Sequence, residues 1–353
     1  MKEKNRTGGR PKIGIIGCGM VGDVHIEGIK RDGRADVTWI ATATEESLKE
    51  KSKKHGIYRC TLDYRDILSD PDLDAVVICT PPYLHLEMTL AALEAGKDVL
   101  VEKPVVASPE EIPILREALH RYYKAGRVIM EPSFRHGRLN PKYHFIKSMI
   151  EGGVLGHIYH IHHNQLLRRA YIDYNPRALW SLDKKKSGGG PLINWGVYDL
   201  SFHLGLLDDK PRLESIRSFT RNGLKRYQGE RATEVEEHGA ALMEFSDNLT
   251  CYLERGAGVQ AEIENETRIF GTKGYLRFGY CFWQSNEIEH CYMDDDGTQK
   301  QDNIKIDMTG YDHDNWALSR HFVDCLLGQA QPLVPVNIGL KNLEILFRIV
   351  GES

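Results

Sequence analysis

Residues Lys12–Gly22 read KIGIIGCGMVG. A compact β-branched run, Lys12–Ile16, enters a G-x-G-x-x-G whose glycines are Gly17, Gly19 and Gly22, and Asp23–Lys30 behind it spaces its apolar residues at helical period. Strand, glycine turn and helix in that order form the phosphate-binding start of a doubly wound sheet. The first glycine permits the tight turn, the second lets the main chain approach a pyrophosphate, and the third lets helix pack closely on strand. The helix N-terminus then offers free N–H groups and a positive dipole end to the phosphates. Gly17, Gly19, Met20, Val21 and Gly22 are the expected dinucleotide-contacting residues of this turn.

Outward from that stretch the pattern repeats. Asp36–Thr44 (DVTWIATAT), Asp74–Cys79 (DAVVIC) and Asp98–Val101 (DVLV) read as further strands, with helical spacing over Leu86–Ala95 and Gly96 as its stop. Apolar strands separated by helices predict a parallel Rossmann sheet over residues 11–130, giving an α/β fold. From residue 131 to 353 the period is often two, as in Ile158–Gln165, Gly239–Phe245 and Thr250–Glu254. Arg268–Phe270 and Tyr275–Phe278 flank a hairpin-like Gly271-Thr272-Lys273-Gly274. This predicts a second α/β domain with a largely antiparallel sheet. Its helices are expected near Asn140–Glu151, Trp316–Leu327 and Leu340–Ile349. Residues 1–10 read as a disordered tail, and Gly188–Gly190, beside the charged run Asp183–Lys186, as a mobile loop.

Composition excludes several classes. At 353 residues the chain is long enough for two cores, and its net charge of −4, with no basic block, argues against nucleic acid or an anionic membrane surface as partner. No apolar stretch approaches a membrane span or a secretory leader. Seven scattered cysteines with no C-x-x-C suggest neither a disulfide framework nor a zinc cluster, so a reducing, cytoplasmic setting is expected.

The remaining candidates lie where strands end. Thr44, closing the second strand, is placed to read the adenosine ribose, and Glu45 and Glu46 after it would repel an extra phosphate; NAD is expected, with NADP possible. Cys79–His85 (CTPPYLH) and Glu102-Lys103-Pro104 follow carboxyl ends of strands, which adds Thr80, Pro81, His85, Glu102 and Lys103 to the expected cofactor contacts. Lys103, directly after a buried strand and before a proline, is held in the crevice beside the nicotinamide. In His157–Gln165 (HIYHIHHNQ), His160, His162 and Asn164 alternate onto one face. Such a face could be plain sheet surface, a metal site or a substrate contact; no metal is assigned.

The set GCGMVGDVH, ICTPPYLH, VEKP and SGGGPLINWGVYD, with FGTKG and the ending from His321, resembles the glucose-fructose oxidoreductase / inositol dehydrogenase / rhizopine-catabolism family. The resemblance implies that the second sheet is open and mainly antiparallel. It further implies hydride transfer between NAD(P) and a sugar, cyclitol or related alcohol, and a homodimer or homotetramer formed through the sheet. Lys103 matches the family's active-site lysine, and the His-x-Asn of His162 and Asn164 resembles its contacts to substrate hydroxyls. Where many members carry D-x-G-x-H, this chain has Asn194-Trp195-Gly196-Val197-Tyr198, so both functional positions differ. Asn194 and Tyr198 are one helical turn apart and share a face. Arg168 and Trp180, with Arg135, Arg138 and Tyr171, are further expected to line the pocket. His25 and His203 read as structural.

The mechanism expected from these residues has Tyr198 as base, with Lys103 lowering its pKa from about 10 and holding the substrate oxygen, and Asn194 positioning groups. Lys103 is the alternative base if burial depresses its own pKa. Two other readings share every motif: a glycosidase working through transient sugar oxidation, and a non-catalytic sugar or redox sensor.

Overall fold

The computed structural model describes residues 9–223, 232–281, 283–311 and 313–351; residues 1–8 of the expected tail lie outside the described residues. In chain order the first part runs β1 (Lys12–Ile16), α1 (Met20–Asp32), β2 (Asp36–Ala41), α2 (Glu45–His55), β3 (Cys60–Thr61), α3 (Tyr64–Ser69), β4 (Ala75–Ile78), α4 (His85–Glu94), β5 (Asp98–Val101), α5 (Glu111–Tyr123) and β6 (Ile129–Met130). The strands pair in the order β3-β2-β1-β4-β5-β6, all parallel. Every residue of β4 and β5 is buried, as a sheet covered on both faces requires. β2 ends at Ala41, short of the expected Thr44. The Thr44 hydroxyl instead accepts the Ser47 N–H at 3.3 Å and caps α2.

The second part continues with α6 (Pro141–Glu151), β7 (Ile158–Leu167), α7 (Tyr171–Tyr174), α8 (Lys184–Ser187), α9 (Pro191–Leu206), β8 (Leu213–Arg221), β9 (His238–Phe245), β10 (Leu249–Ala257), β11 (Glu266–Gly271), β12 (Gly274–Phe278), β13 (Glu287–Met293), β14 (Gln299–Lys305), α10 (Asp314–Leu326) and α11 (Val336–Gly351). Its eight strands pair in the order β14-β13-β12-β11-β7-β10-β9-β8. All neighbours are antiparallel except β7 and β10. α9 is apolar around almost its whole circumference and is correspondingly buried, with its His203 ring 4.7 Å from the His163 ring of β7. The opposite face of the sheet exposes Tyr159 and Leu242.

Two further features differ from the sequence expectation. Gly188–Gly190 is not a loose loop: all three glycines are buried, and a Cβ on Gly190 would stand 1.9 Å from the Glu236 carbonyl oxygen. Close main-chain approach, rather than flexibility, is what glycine supplies there. The other is α10, which returns to the first sheet. A Cβ on Gly28 of α1 would meet Ser319 Oγ at 2.1 Å, and Leu318, Phe322 and Val323 share one core with Ile13, Ile15 and Ile40. Phe322 is fully buried in that core. Phe322→Ala should therefore lower unfolding free energy by about 3–5 kcal/mol, the usual cost of emptying such a site. Urea denaturation followed by far-UV circular dichroism reads the effect.

Candidate active site

The carboxyl ends of β1, β4 and β5 open into a cleft whose far wall is the start of α9 and the end of β10. At its floor the glycine turn has the shape a dinucleotide needs. Gly17 sits at φ +90°, and a Cβ there would meet Cys79 C and Thr80 N at 2.8 Å. Gly22 packs against Gly17, its Cβ position 2.7 Å from the Gly17 oxygen. Gly19, by contrast, has nothing within 4 Å of its Cβ position and caps α1 without a side-chain bond. Open space, an uncapped helix N-terminus and close packing thus fall on the glycines the pyrophosphate reading assigns. Met20 begins the helix and is half exposed, while Val21 and Thr80 line the cleft. Pro81 stands at the head of the short turn Pro82–Leu84. Thr44 caps α2, Glu45 and Glu46 are exposed beside it, and Lys49 pairs with Glu45 at 3.9 Å.

His85 does not belong with the cofactor contacts. It is buried, with Nδ1 2.7 Å from the Pro104 oxygen and Nε2 2.7 Å from the Thr80 oxygen, and it ties the two crevice loops together. Burial pushes its pKa down.

Lys103 follows β5 directly. Its Nζ donates to Asn194 Oδ1 at 2.5 Å and to the Asn194 carbonyl oxygen at 2.7 Å. Burial pushes its pKa down to about 7. Glu102 pulls in the opposite direction, while the Arg135 and Arg255 guanidinium groups add to the fall. Glu102 itself is engaged behind the lysine by Arg135 and by His25 Nε2 at 2.7 Å. Burial alone would raise the Glu102 carboxyl; those two partners hold it well below the usual carboxylate range.

Tyr198 departs from the expected mechanism. Lys103 Nζ stands 5.0 Å from the centre of the Tyr198 ring, a cation–π placement over its face. Burial raises the phenol pKa well above its ordinary value, and the opposing pull of Arg135 does not overcome it. The idea that Lys103 makes Tyr198 a tyrosinate base is therefore corrected: desolvation disfavours the phenolate more than the nearby cations favour it.

The substrate residues divide. Asn194 and Trp180 line the cleft. His162 and Asn164 do not. From His160 onward along β7 the buried positions are Ile161, His163 and Gln165, so the alternate set His160, His162 and Asn164 lies on the open face. There His162 stacks on Tyr252 with centroids 4.9 Å apart, and Asn164 Nδ2 donates to the Glu264 oxygen at 2.9 Å. The period-two reading grouped these residues correctly, but periodicity does not say which face the cleft is on. Arg168 points outward as well and pairs with Glu262 at 3.2 Å; its neighbour Arg169 lines the cleft. Arg135 is spent on Glu102, and Arg138 on Asp209 and the Ser201 oxygen.

Among the cleft residues that the sequence reading missed, three shape the site. The Trp195 indole lies 6.0 Å from Lys103 Nζ and 5.4 Å from the Arg255 guanidinium. Glu236 accepts from Gly190 N–H at 2.7 Å and Leu192 N–H at 3.0 Å, capping α9 from a different segment. Arg255 follows Cys251 and Leu253 at the buried positions of β10. A charge at an inward position of an alternating strand was the sequence signal for it.

A glycine turn shaped for pyrophosphate, leading to a buried lysine at the crevice of a parallel sheet, defines an NAD-binding oxidoreductase. Residues 11–130 match the model for the oxidoreductase family with an NAD-binding Rossmann fold, and residues 143–277 match the GFO/IDH/MocA C-terminal domain. The chain is 30% identical to the uncharacterized oxidoreductase YrbE of Bacillus subtilis over 279 residues, 74% of this chain and 71% of that one. It is 29% identical to myo-inositol 2-dehydrogenase of Thermotoga maritima over 283 residues, 75% and 74% of the two chains. Levoglucosan dehydrogenase in complex with NADH and levoglucosan has the same fold, with TM-score 0.83 at 20% identity over 97% of this chain and 96% of that one. The chain belongs to the GFO/IDH/MocA oxidoreductase family.

Glu45 and Glu46 beside Thr44 would repel the extra phosphate of NADP. Calorimetric titration should find NADH bound tighter than NADPH by at least about tenfold, equivalent to about 1.4 kcal/mol. Equal affinity would remove the charge argument.

Proposed function

We propose that this protein oxidises a secondary alcohol of a sugar or cyclitol with NAD, and that Lys103 is the base. The contact of Lys103 Nζ with both oxygens of Asn194 carries the reading. A neutral amine has two hydrogens and one lone pair. With both hydrogens donated to Asn194, the lone pair is left for the substrate hydroxyl. A pKa of about 7 makes that neutral form abundant at physiological pH. NAD, when bound, accepts the hydride. Lys103 takes the hydroxyl proton as the C–H bond breaks, and in the reverse direction the ammonium returns it to the carbonyl oxygen. Tyr198, kept protonated by burial and packed with its ring against Lys103 Nζ, is not the base. Asn194 orients the amine without adding a charge that would restore its ordinary basicity. The inositol and levoglucosan dehydrogenases among its relatives support a polyhydroxylated substrate.

Two further observations support a setting. Among the described residues every cysteine is free and no helix is long and apolar enough to cross a membrane, which supports a reducing, cytoplasmic location. The exposed Tyr159 and Leu242 on the open sheet face support a homodimer or homotetramer formed through it.

The site is tested by NADH fluorescence against a panel of polyols and sugars, followed by pH profiles on the substrate found. kcat/KM for oxidation should rise about tenfold per pH unit and level off above about pH 7, because the ammonium below that pH has no lone pair to accept the proton. Tyr198→Phe should keep that limb, whereas a tyrosinate base would lose it. Asn194→Asp places a carboxylate against the ammonium and should move the limb up by about 1–3 pH units. Lys103→Met should cost on the order of 10²–10⁴-fold in kcat while NADH still binds, since the glycine turn holds the pyrophosphate. Near-normal turnover in Lys103→Met would overturn the assignment.

A further inference from the structure

Arg255 is 1% exposed, yet it forms part of the cleft wall together with Lys103 and Asn194. Its Nε donates to Asp199 Oδ2 at 2.5 Å, and its Nη2 donates to Asp199 Oδ1 and, at 3.2 Å, to the Tyr280 hydroxyl. Tyr280 in turn donates to Asp199 Oδ1 at 2.7 Å. This is a side-on clamp: both bonds to the carboxylate leave one edge of the guanidinium and fix its plane. The bonds of the guanidinium to other described residues leave from Nε and Nη2, and Nη1, on the far edge, has none.

A purely structural pair would not need this arrangement. Neutralising Asp199 occupies one edge, and a buried ion pair adds little stability over apolar residues of the same volume. Two acids of the cleft wall are already engaged, Glu102 by Arg135 and His25 and Glu236 by the amides of α9. The two other charged residues of the wall, Glu237 and Arg169, are opposite in sign. Lys103 Nζ and the Arg255 guanidinium both lie within 6.0 Å of the Trp195 indole centre, so one small molecule can reach both.

We propose that Arg255 is a substrate anchor and that the cleft takes a sugar acid, with its carboxylate on Arg255 Nη1 and its reacting hydroxyl on Lys103. This rests on the dehydrogenase reading above and narrows it to a substrate class. Asp199 and Tyr280 are positioning residues in this arrangement: they hold the guanidinium plane and need not touch substrate.

The test is binding, read apart from turnover. The NADH-loaded protein is titrated calorimetrically with glucuronate and galacturonate, and in parallel with glucose and galactose. The acids should bind at least about tenfold tighter than their neutral counterparts. Arg255→Met should abolish that preference, and Arg255→Lys should keep part of it, since a lysine retains the charge without the planar fork. NADH affinity and thermal unfolding of each variant report whether it is folded; should Arg255→Met fail to fold, the wild-type panel and Arg255→Lys still decide. Equal binding of acid and neutral sugar by the wild type, binding of neither, or a folded Arg255→Met that weakens both alike, overturns the proposal. Tight uronate binding with no NADH formed from NAD would leave the anchor standing and sink the alcohol-oxidation reading. NADH formed from neutral hexoses with no uronate preference would do the reverse.

Discussion

Lys103 donates to both oxygens of Asn194, and through that contact the end of β5 is fixed against the first turn of α9. Each end of the contact has its own support. On the β5 side, Glu102 is clamped by His25 and Arg135, so the strand end cannot twist the lysine away from the crevice. On the α9 side, Glu236 reaches in from the segment before β9 to cap the helix, and Gly190 lets the two chains approach. The cleft exists because these two supports face each other across it.

The same region carries an unusual number of buried charges. Glu102 with Arg135 and Asp199 with Arg255 are both almost fully removed from water. Such pairs offset their desolvation only when geometry is good and leftover hydrogen-bonding groups find partners; His25 supplies a further bond to Glu102 and Tyr280 one to Asp199. Apolar residues could fill the volume at no loss of stability. What the charges supply is a field: two guanidinium groups beside a lysine that has been taken out of water, which together keep its amine poised near neutrality.

The first sheet is also closed by a segment from the far end of the chain. α10 comes from the end of the chain yet completes the core under β1 and β2, against α1. The helix that carries the glycine turn at its start is thereby held along its length by residues some three hundred positions later. The cofactor turn and the last helices are parts of one packed unit.

The sequence by itself determined the parallel sheet of the first domain and the glycine turn at its crevice. The spacing of Gly17, Gly19 and Gly22 between a strand and a helix was legible locally, and the apolar runs of β1, β4 and β5 leave only a covered parallel sheet. It also singled out Lys103 and Asn194 by their places after a strand and after a glycine run. It could not say which face of β7 turns toward the cleft, because alternation has two equivalent phases and only the packing of α9 on His163 chooses between them. Nor could it reveal that Lys103 rather than Tyr198 has the shifted pKa that a base needs, since burial and the position of a cation relative to a ring are properties of the assembled core. Arg255, some sixty residues from the helix it serves, meets Asp199 only when β10 packs beneath α9. Local patterns are written residue by residue, but a field is the sum over groups that folding brings together.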